Sequence, residues 1–159
     1  MEKIKSFSRN HNYMQPGLYL QEVKRNISIY DLRFVKPNTV FIPIAAMHTI
    51  EHLFATWLKT QSDIKDEVIS FNPGGCQTMF YLEVFNDKPL DVEAEIIKCI
   101  DWCLKQYKIP GAAKEECGNY LSHNLPWAKK WLQKYKRTLV IKRVTKKIND
   151  ALARMPWKR

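Results

Sequence analysis

The chain lacks an apolar run long enough to cross a membrane. A membrane-spanning helix needs roughly 18 consecutive apolar residues, whereas the longest candidate here, residues 40–46, is short and contains Pro43. The first ten residues mix charged and polar side chains and lack the apolar stretch of a signal peptide. We therefore expect a cytoplasmic protein with no membrane span.

Cysteine is also scarce, with four in 159 residues. Small disulfide-held secreted domains have a much denser cysteine framework, so these four are expected to be free thiols, metal ligands or catalytic groups in a reducing compartment. Repeats and low-complexity stretches are absent from the sequence, and a composition of 45% hydrophobic and 26% charged residues excludes a disordered chain. The length suits a single domain with one core.

Acidic residues are nearly missing from the C-terminal part of the chain. Residues 127–159 contain 12 Lys and Arg but only one acid, Asp150, whereas residues 1–126 contain 14 Lys and Arg and 15 Asp and Glu. The net charge of +10 therefore comes from the C-terminal segment. A basic segment on a neutral body favours an appendage over a nucleic-acid-binding fold.

The basic segment also has an apolar pattern. Its spacing predicts a helix that opens near Pro126 and carries one continuous apolar stripe, formed by Trp127, Trp131, Tyr135, Leu139, Val144, Ile148 and Leu152. We expect the stripe to pack on the body or on a second copy of the chain, with its charges solvated. Contact of this tail with nucleic acid or an anionic surface is the less favoured alternative.

The rest of the chain predicts an α+β domain. Strand-like segments occur at residues 17–23, 26–34, 67–71 and 76–85, and helix-like segments at 44–59 and 90–107. Because these segments show no βαβ rhythm, the sheet should be mainly antiparallel and pack with about three to four helices. The helix at 44–59 is apolar on all sides and is therefore expected to be buried.

The clearest chemical feature is the segment His48-Thr49-Ile50-Glu51-His52. On a helix, positions i and i+4 share one face, so both imidazoles can bind one metal ion with Glu51 beside them as a base. A pair of core histidines bonded to backbone carbonyls is the competing interpretation. The pair and its glutamate in so apolar a helix favour the metal.

A catalytic centre of this type usually has three protein ligands. From the residues alone the third ligand stays open among the cysteines, His11, His123 and several acids. Cys99 and Cys103 lie on an apolar helix stripe and are expected to be buried, while Cys117 lies in a loop, where ligands are often presented. Cys76 follows Gly74-Gly75 at the predicted start of a strand, where a thiol exposed to a cleft can act as a nucleophile or an acid–base group.

Five blocks of sequence together resemble the S-ribosylhomocysteine lyase (LuxS) family, in that family's order. They are residues 6–11 (SFSRNH), 31–34 (DLRF) with Pro37 and Asn38, 48–55 (HTIEHLFA), 75–78 (GCQT) followed by 80–82 (FYL), and 116–120 (ECGNY) with His123 and Leu125. The resemblance covers roughly residues 5–136. It divides the chain into a catalytic domain at 1–136 and a basic C-terminal extension at 137–159, which we expect to be helical.

The resemblance implies a cytoplasmic homodimer with its active sites at the subunit interface. Such enzymes cleave S-ribosylhomocysteine to homocysteine and 4,5-dihydroxy-2,3-pentanedione, the autoinducer-2 precursor. It places one divalent metal, with Fe²⁺ favoured and Zn²⁺ or Co²⁺ as alternatives, on His48, His52 and Cys117 with water as the fourth ligand. It also places acid–base roles on Cys76 and Glu51, and ribose binding on Ser6, His11 and Arg33. His123 is expected to be a cap or a donor behind the ligands.

Three positions depart from the family pattern. Asn10 stands where an aspartate is usual. After the catalytic cysteine the family usually has Arg-Thr-Gly, whereas this chain has Gln77-Thr78-Met79. None of these three positions is a metal-ligand or proton-transfer position. We therefore expect the departures to affect the rate or the substrate range rather than the class of reaction. Two other functions compete with the lyase: a metallopeptidase using the HxxEH motif, and an anion-binding module with a structural metal and the basic tail.

Overall fold

A computed structural model of the chain describes residues 8–154. Its elements are, in chain order, β1 (Gly17–Lys24), β2 (Ile27–Arg33), α1 (Ile44–Thr60), β3 (Val68–Pro73), β4 (Met79–Phe85), α2 (Val92–Lys105) and α3 (Leu125–Ala153). The α+β class and its antiparallel sheet are confirmed. None of the helices within the described range is both long and apolar enough to cross a membrane.

The four strands form one sheet in the order β1-β2-β4-β3, and every neighbouring pair is antiparallel. β1 and β2 form a hairpin whose turn contains Arg25 at a positive φ of 55°. β4 lies between β2 and β3. Its first residue, Met79, pairs with Arg33 of β2, and its next residue, Phe80, pairs with Pro73 of β3. The long turn between β3 and β4 therefore ends beside the last residue of β2.

The structure corrects the expected start of β4. The strand begins at Met79 rather than at Cys76, so the cysteine lies in the turn between β3 and β4. Backbone hydrogen bonds join this turn to neighbouring segments; among them, the N–H of Ile42 donates to the Gln77 carbonyl at 2.8 Å, and the N–H of Phe34 donates to the Thr78 carbonyl at 3.0 Å.

Helix α1 is buried on one face only, which corrects the expectation of a helix buried on all sides. Its core face includes Ile50, Leu53, Phe54 and Leu58, all fully buried against the sheet and the other helices. The opposite face carries His48, Glu51 and His52, which are half-buried. The polar side chains therefore avoid most of the cost of burial.

Asn124 caps the N-terminus of helix α3, and its side-chain oxygen accepts a hydrogen bond from the Trp127 N–H at 2.9 Å. Its first half packs into the core through Ala128, Leu132, Tyr135 and Leu139. The Tyr135 ring stacks on Phe34 at 4.0 Å, and its hydroxyl donates to the Gly17 carbonyl at 3.0 Å. This half of α3 therefore fixes the sheet against the helices.

Candidate active site

Helix α1 places His48 and His52 one turn apart on its half-buried face. Each ring is oriented by a hydrogen bond from Nδ1 to a backbone carbonyl, that of Ser122 at 2.8 Å for His48 and that of Pro110 at 2.9 Å for His52. A carbonyl can only accept, so both Nδ1 atoms are protonated. Each Nε2 lone pair is therefore free to bind a metal, in the arrangement usual for ligating histidines.

The two Nε2 atoms meet a thiol from the loop before α3. The Sγ of Cys117 lies 3.5 Å from the Nε2 of His48 and 3.9 Å from the Nε2 of His52. Gly111 makes the close approach of this loop to α1 feasible, since its φ is +65° and a Cβ there would lie 3.3 Å from the Nδ1 of His52. The structure thus brings together the three ligands implied by the resemblance.

His123 belongs to the same cluster. Its Nε2 lies 3.7 Å from the Cys117 Sγ, and its ring stacks on His48 at 4.0 Å. Its Nδ1 lies 3.3 Å from the Thr49 hydroxyl, which already donates to the Ala45 carbonyl and therefore accepts from the imidazole. Burial, together with the two other histidines, lowers the pKa of His123 to about 4.

The ligand atoms of these four residues, His48, His52, Cys117 and His123, all lie within 4.8 Å of one another. Three imidazoles and one sulfur form a donor set that suits a divalent transition metal. From the sequence, His123 was expected to be a cap or a donor behind the ligands; its Nε2 lies within the cluster, and His123 follows Cys117 by six residues in the chain.

Glu51 lies beside this cluster. It lines a cavity of about 320 Å³ together with His48 and Ile44 of α1 and with the β3–β4 turn, which contributes Gly74, Gly75 and Gln77. A carboxylate here faces the same open space as the edge of the metal cluster. It can therefore exchange a proton with a molecule bound in that cavity.

Cys76 is exposed and lies beside a buried network formed by Thr78, Arg33 and Asp31. Its Sγ is 3.0 Å from the Thr78 hydroxyl and 3.9 Å from the Nη1 of Arg33. Arg33 also donates to Thr78 at 2.6 Å and forms an ion pair with Asp31 at 2.5 Å. The Arg33 guanidinium therefore contacts both the thiol and the buried carboxylate.

This network is buried and incompletely bonded. Burial raises the pKa of Asp31 even though the Arg33 guanidinium acts in the opposite direction. Within the described residues, the Oδ1 of Asp31 and the Nε of Arg33 have no hydrogen-bond partner. Sequence reasoning missed Thr78 as a neighbour of the thiol and Asp31 as the partner of Arg33. Asp31 and Arg33 are two residues apart on β2, and side chains at this spacing lie on the same face of a strand.

Cys76, Arg33 and Thr78 line a second cavity, of about 390 Å³, together with His11 and residues 37–41. The half-buried His11 thus lies at the same cavity as the cysteine, as the resemblance implies. Ser6 lies outside the described residues. The β3–β4 turn lines both cavities, since Cys76 and Thr78 face this one and Gly74, Gly75 and Gln77 border the cavity of Glu51.

The arrangement combines an HxxEH helix, a loop cysteine clustered with its histidines and a second cysteine beside a buried arginine. The family model for S-ribosylhomocysteinase (LuxS) matches residues 4–146. The chain belongs to this family. Proteins named S-ribosylhomocysteine lyase share its sequence: that of Clostridium acetobutylicum is 36% identical over 87% of this chain and 92% of its own length.

Other members of the LuxS family are similarly related. The S-ribosylhomocysteine lyase of Borreliella burgdorferi is 36% identical over 87% of this chain and 93% of its own length. That of Thermus thermophilus is 37% identical, over 84% and 89% respectively. The chain therefore spans nearly the whole length of these relatives.

The structure accommodates the three departures from the LuxS pattern. Asn10 accepts a hydrogen bond from the Asn12 N–H at 3.1 Å, a role that an aspartate also fulfils. Gln77 adopts a left-handed conformation with φ 58° in the β3–β4 turn. The Met79 thioether packs so closely on Gly74 that a side chain there would collide with it. The larger residue at 79 is thus compensated by the glycine at 74.

Proposed function

We propose that this site cleaves S-ribosylhomocysteine to homocysteine and 4,5-dihydroxy-2,3-pentanedione. The observation that carries the proposal is the cluster of His48, His52 and Cys117 beside Glu51, in a chain of the LuxS family. The carbon–sulfur bond can break by elimination only when the sulfur is β to a carbonyl. The sugar carbonyl must therefore first move from C1 to C3, and each move takes a proton from a carbon next to the carbonyl.

The metal required for this chemistry fits the cluster. We propose one divalent ion per chain on His48, His52 and Cys117, with Fe²⁺ as the native ion and Zn²⁺ or Co²⁺ as substitutes, since the mixed imidazole and thiolate set accepts all three. When bound, such an ion acts as a Lewis acid toward the sugar oxygens. His123 stacks on His48 and holds its ring in place.

The proton transfers are assigned to Glu51 and Cys76. The two groups face cavities that share the β3–β4 turn, and both are open to a bound molecule. Each isomerisation needs one group to remove a proton from carbon and return it to the neighbouring carbon, while oxygen-bound protons are exchanged by the other. The Nη1 of Arg33 lies 3.9 Å from the Cys76 Sγ, so the guanidinium can donate a hydrogen bond to the sulfur.

The last step breaks the carbon–sulfur bond. A base removes the proton at C4, the electron pair forms the C4–C5 double bond, and sulfur leaves C5 with the bonding pair and takes up a proton as homocysteine. The remaining enol tautomerises to the diketone. The atoms balance without water, oxidant or a further cofactor, so these two acid–base groups supply all the required proton transfers.

Sugar binding is assigned to Ser6, His11 and Arg33. His11 and Arg33 line the cavity of Cys76, and the Nε of Arg33 has no hydrogen-bond partner among residues 8–154. A buried donor of this kind is costly unless a ligand or another group satisfies it. Ribose hydroxyls are suitable acceptors. Ser6 is included on the resemblance alone.

We also propose a homodimer with the active sites at its interface. Three large apolar side chains next to the cavities are exposed in the single chain, namely Val40, Phe41 and Ile44. A second copy that covers them would remove this apolar surface from water, which favours association. Light scattering tests this: Phe41→Gln should lower the molar mass toward that of a monomer, whereas Tyr107→Gln, at an exposed site after α2, should not.

The proposed compartment is the cytoplasm. Cys99 and Cys103 lie buried with their sulfurs 3.9 Å apart, a thiol hydrogen bond and not a disulfide, and Cys76 and Cys117 are also free thiols. Free thiols of this number suit a reducing compartment. The division into a catalytic domain at 1–136 and an extension at 137–159 stays a prediction, and α3 runs through residue 137 without a break.

A thiol assay on the purified, metal-loaded protein tests the function. With S-ribosylhomocysteine as substrate, we expect stoichiometric release of homocysteine. Cleavage of peptides in its place would favour a metallopeptidase, although the donor cluster contains no carboxylate as a third ligand. A protein that binds metal but turns over neither substrate would favour the anion-binding module.

A further inference from the structure

Helix α3 changes its apolar side halfway along. An α-helix has 3.6 residues per turn, so positions nine apart differ by about two and a half turns and face opposite directions. Leu132, Tyr135 and Leu139 are fully buried in the core. The residues nine positions after them, Ile141, Val144 and Ile148, are exposed.

The exposed apolar residues form a seam, defined here as Ile141, Val144, Ile148 and Leu152, which extends over about 17 Å of helix. The apolar stripe of α3 is therefore not continuous, and its second half does not pack on the body of the same chain, one of the two positions expected from the sequence. The five-residue step from Leu139 to Val144 was the signal for the change of side. Within the described residues, nothing covers the seam.

Three of the four basic residues between the seam positions face the body instead. Lys142 donates to the Tyr19 hydroxyl at 3.3 Å, and Arg143 binds the carboxylates of Asp91 and Glu93 at 2.7 and 3.3 Å. Lys146 lines the adjoining cavity between α3 and the sheet. These contacts hold the helix with its seam outward, so the orientation of the seam is part of the fold.

The exposed charged residues on the side of α3 that bears the seam are positive. Lys130, Lys134, Arg137 and Lys147 are exposed and form no ion pair with a described acidic residue. The only acid of α3 is Asp150. The outer side of the first half also exposes Trp127, which shares an apolar groove with Pro43 and Trp131.

We propose that the outer side of α3 binds an anionic lipid surface. Apolar side chains flanked by lysine, arginine and tryptophan are the chemistry of a helix that lies in a membrane interface. A second copy on the same seam would bring cations against cations, and nucleic acid would leave the apolar seam without a partner. The family match ends at residue 146, so Ile148 and Leu152 belong to a part of the chain beyond it.

The test is co-sedimentation of the full-length, metal-loaded protein with vesicles at low salt, where screening is weakest. We expect binding to vesicles that contain phosphatidylglycerol and little or no binding to pure phosphatidylcholine. Ile148→Gln/Leu152→Gln should weaken the binding at least about tenfold. The matched control is Leu20→Gln/Val23→Gln on β1, whose side chains are 50% and 49% exposed, against 53% and 48% in the seam.

Several results would overturn the proposal. One is a wild-type protein that fails to bind phosphatidylglycerol vesicles, and another is equal weakening by the seam and control pairs. A third is a lower molar mass of the seam variant in light scattering, which would assign the seam to a second copy. Binding to RNA at low salt that is unchanged in the seam variant, without vesicle binding, would assign the charges to nucleic acid.

Discussion

The Nε2 of His48 lies 3.5 Å from the Sγ of Cys117, although 69 residues separate them. The hydrogen bond from the same ring to the Ser122 carbonyl joins α1 to the loop that carries the cysteine. The ligand pair therefore depends on the packing of that loop against α1. A bound ion would link the two segments in addition to these contacts.

The first prediction concerns the metal. His48→Ala should lose the bound ion because it removes one of the imidazole donors, and elemental analysis of the purified variant measures this. His11→Ala is the matched control, since His11 lies at the other cavity and should leave the metal content unchanged. Full occupancy in His48→Ala would contradict the assignment.

The second prediction separates proton transfer from metal binding. Glu51→Gln and Cys76→Ala should each keep the metal and lose about 10²–10⁴-fold in kcat, the usual loss on removal of a general acid or base. The controls are Glu115→Gln, at an exposed loop position, and Cys103→Ala, in the core. Wild-type turnover in either site variant would show that its assigned role is wrong.

The third prediction concerns the buried pair of Arg33 and Asp31. Arg33→Gln leaves a buried carboxylate without its partner, which should lower the free energy of unfolding by about 3–5 kcal/mol. Asp31→Asn/Arg33→Gln removes both charges and should recover most of that loss in urea denaturation. If Arg33 also binds the sugar, the double variant stays impaired in KM although its stability returns. Recovery of both would leave Arg33 with a structural role only.

The fourth prediction concerns pH and the attachment of α3. The Arg143 guanidinium lowers the pKa of Asp91 to about 2 from its ordinary 3.8. Because the folded-state pKa is lowered, the stabilisation is present above pH 3.8 and is lost as the pH falls through about 2. Asp91→Asn keeps a side-chain cap for the Ala94 N–H but removes the charge.

For this mostly exposed pair we expect a loss of about 0.5–1 kcal/mol at neutral pH in Asp91→Asn. The difference from wild type should shrink between pH 3.8 and about 2 and should decrease with added salt. Urea denaturation over this range measures it. A difference independent of both pH and salt would mean that the pair contributes through packing and not through charge.

Local patterns in the sequence determined the elements of the fold. The strands, α1 and α2 were predicted within a few residues because hydrophobic alternation and helical spacing act between near neighbours. The pairing of His48 with His52 follows from the same i and i+4 geometry. The five family blocks were also sufficient to indicate the family, which the match over residues 4–146 confirms.

Tertiary structure alone decided which distant groups meet. The approach of Cys117 and His123 to α1 and of Arg33 to Cys76 depends on how loops and strands far apart in sequence pack together. The same holds for α3, where the sequence suggested a single stripe. The core accepts only the side of the helix that bears Leu139, and the ion pairs of Arg143 then hold Ile148 away from the body. Helical periodicity supplies the candidate faces, but only packing selects the buried one.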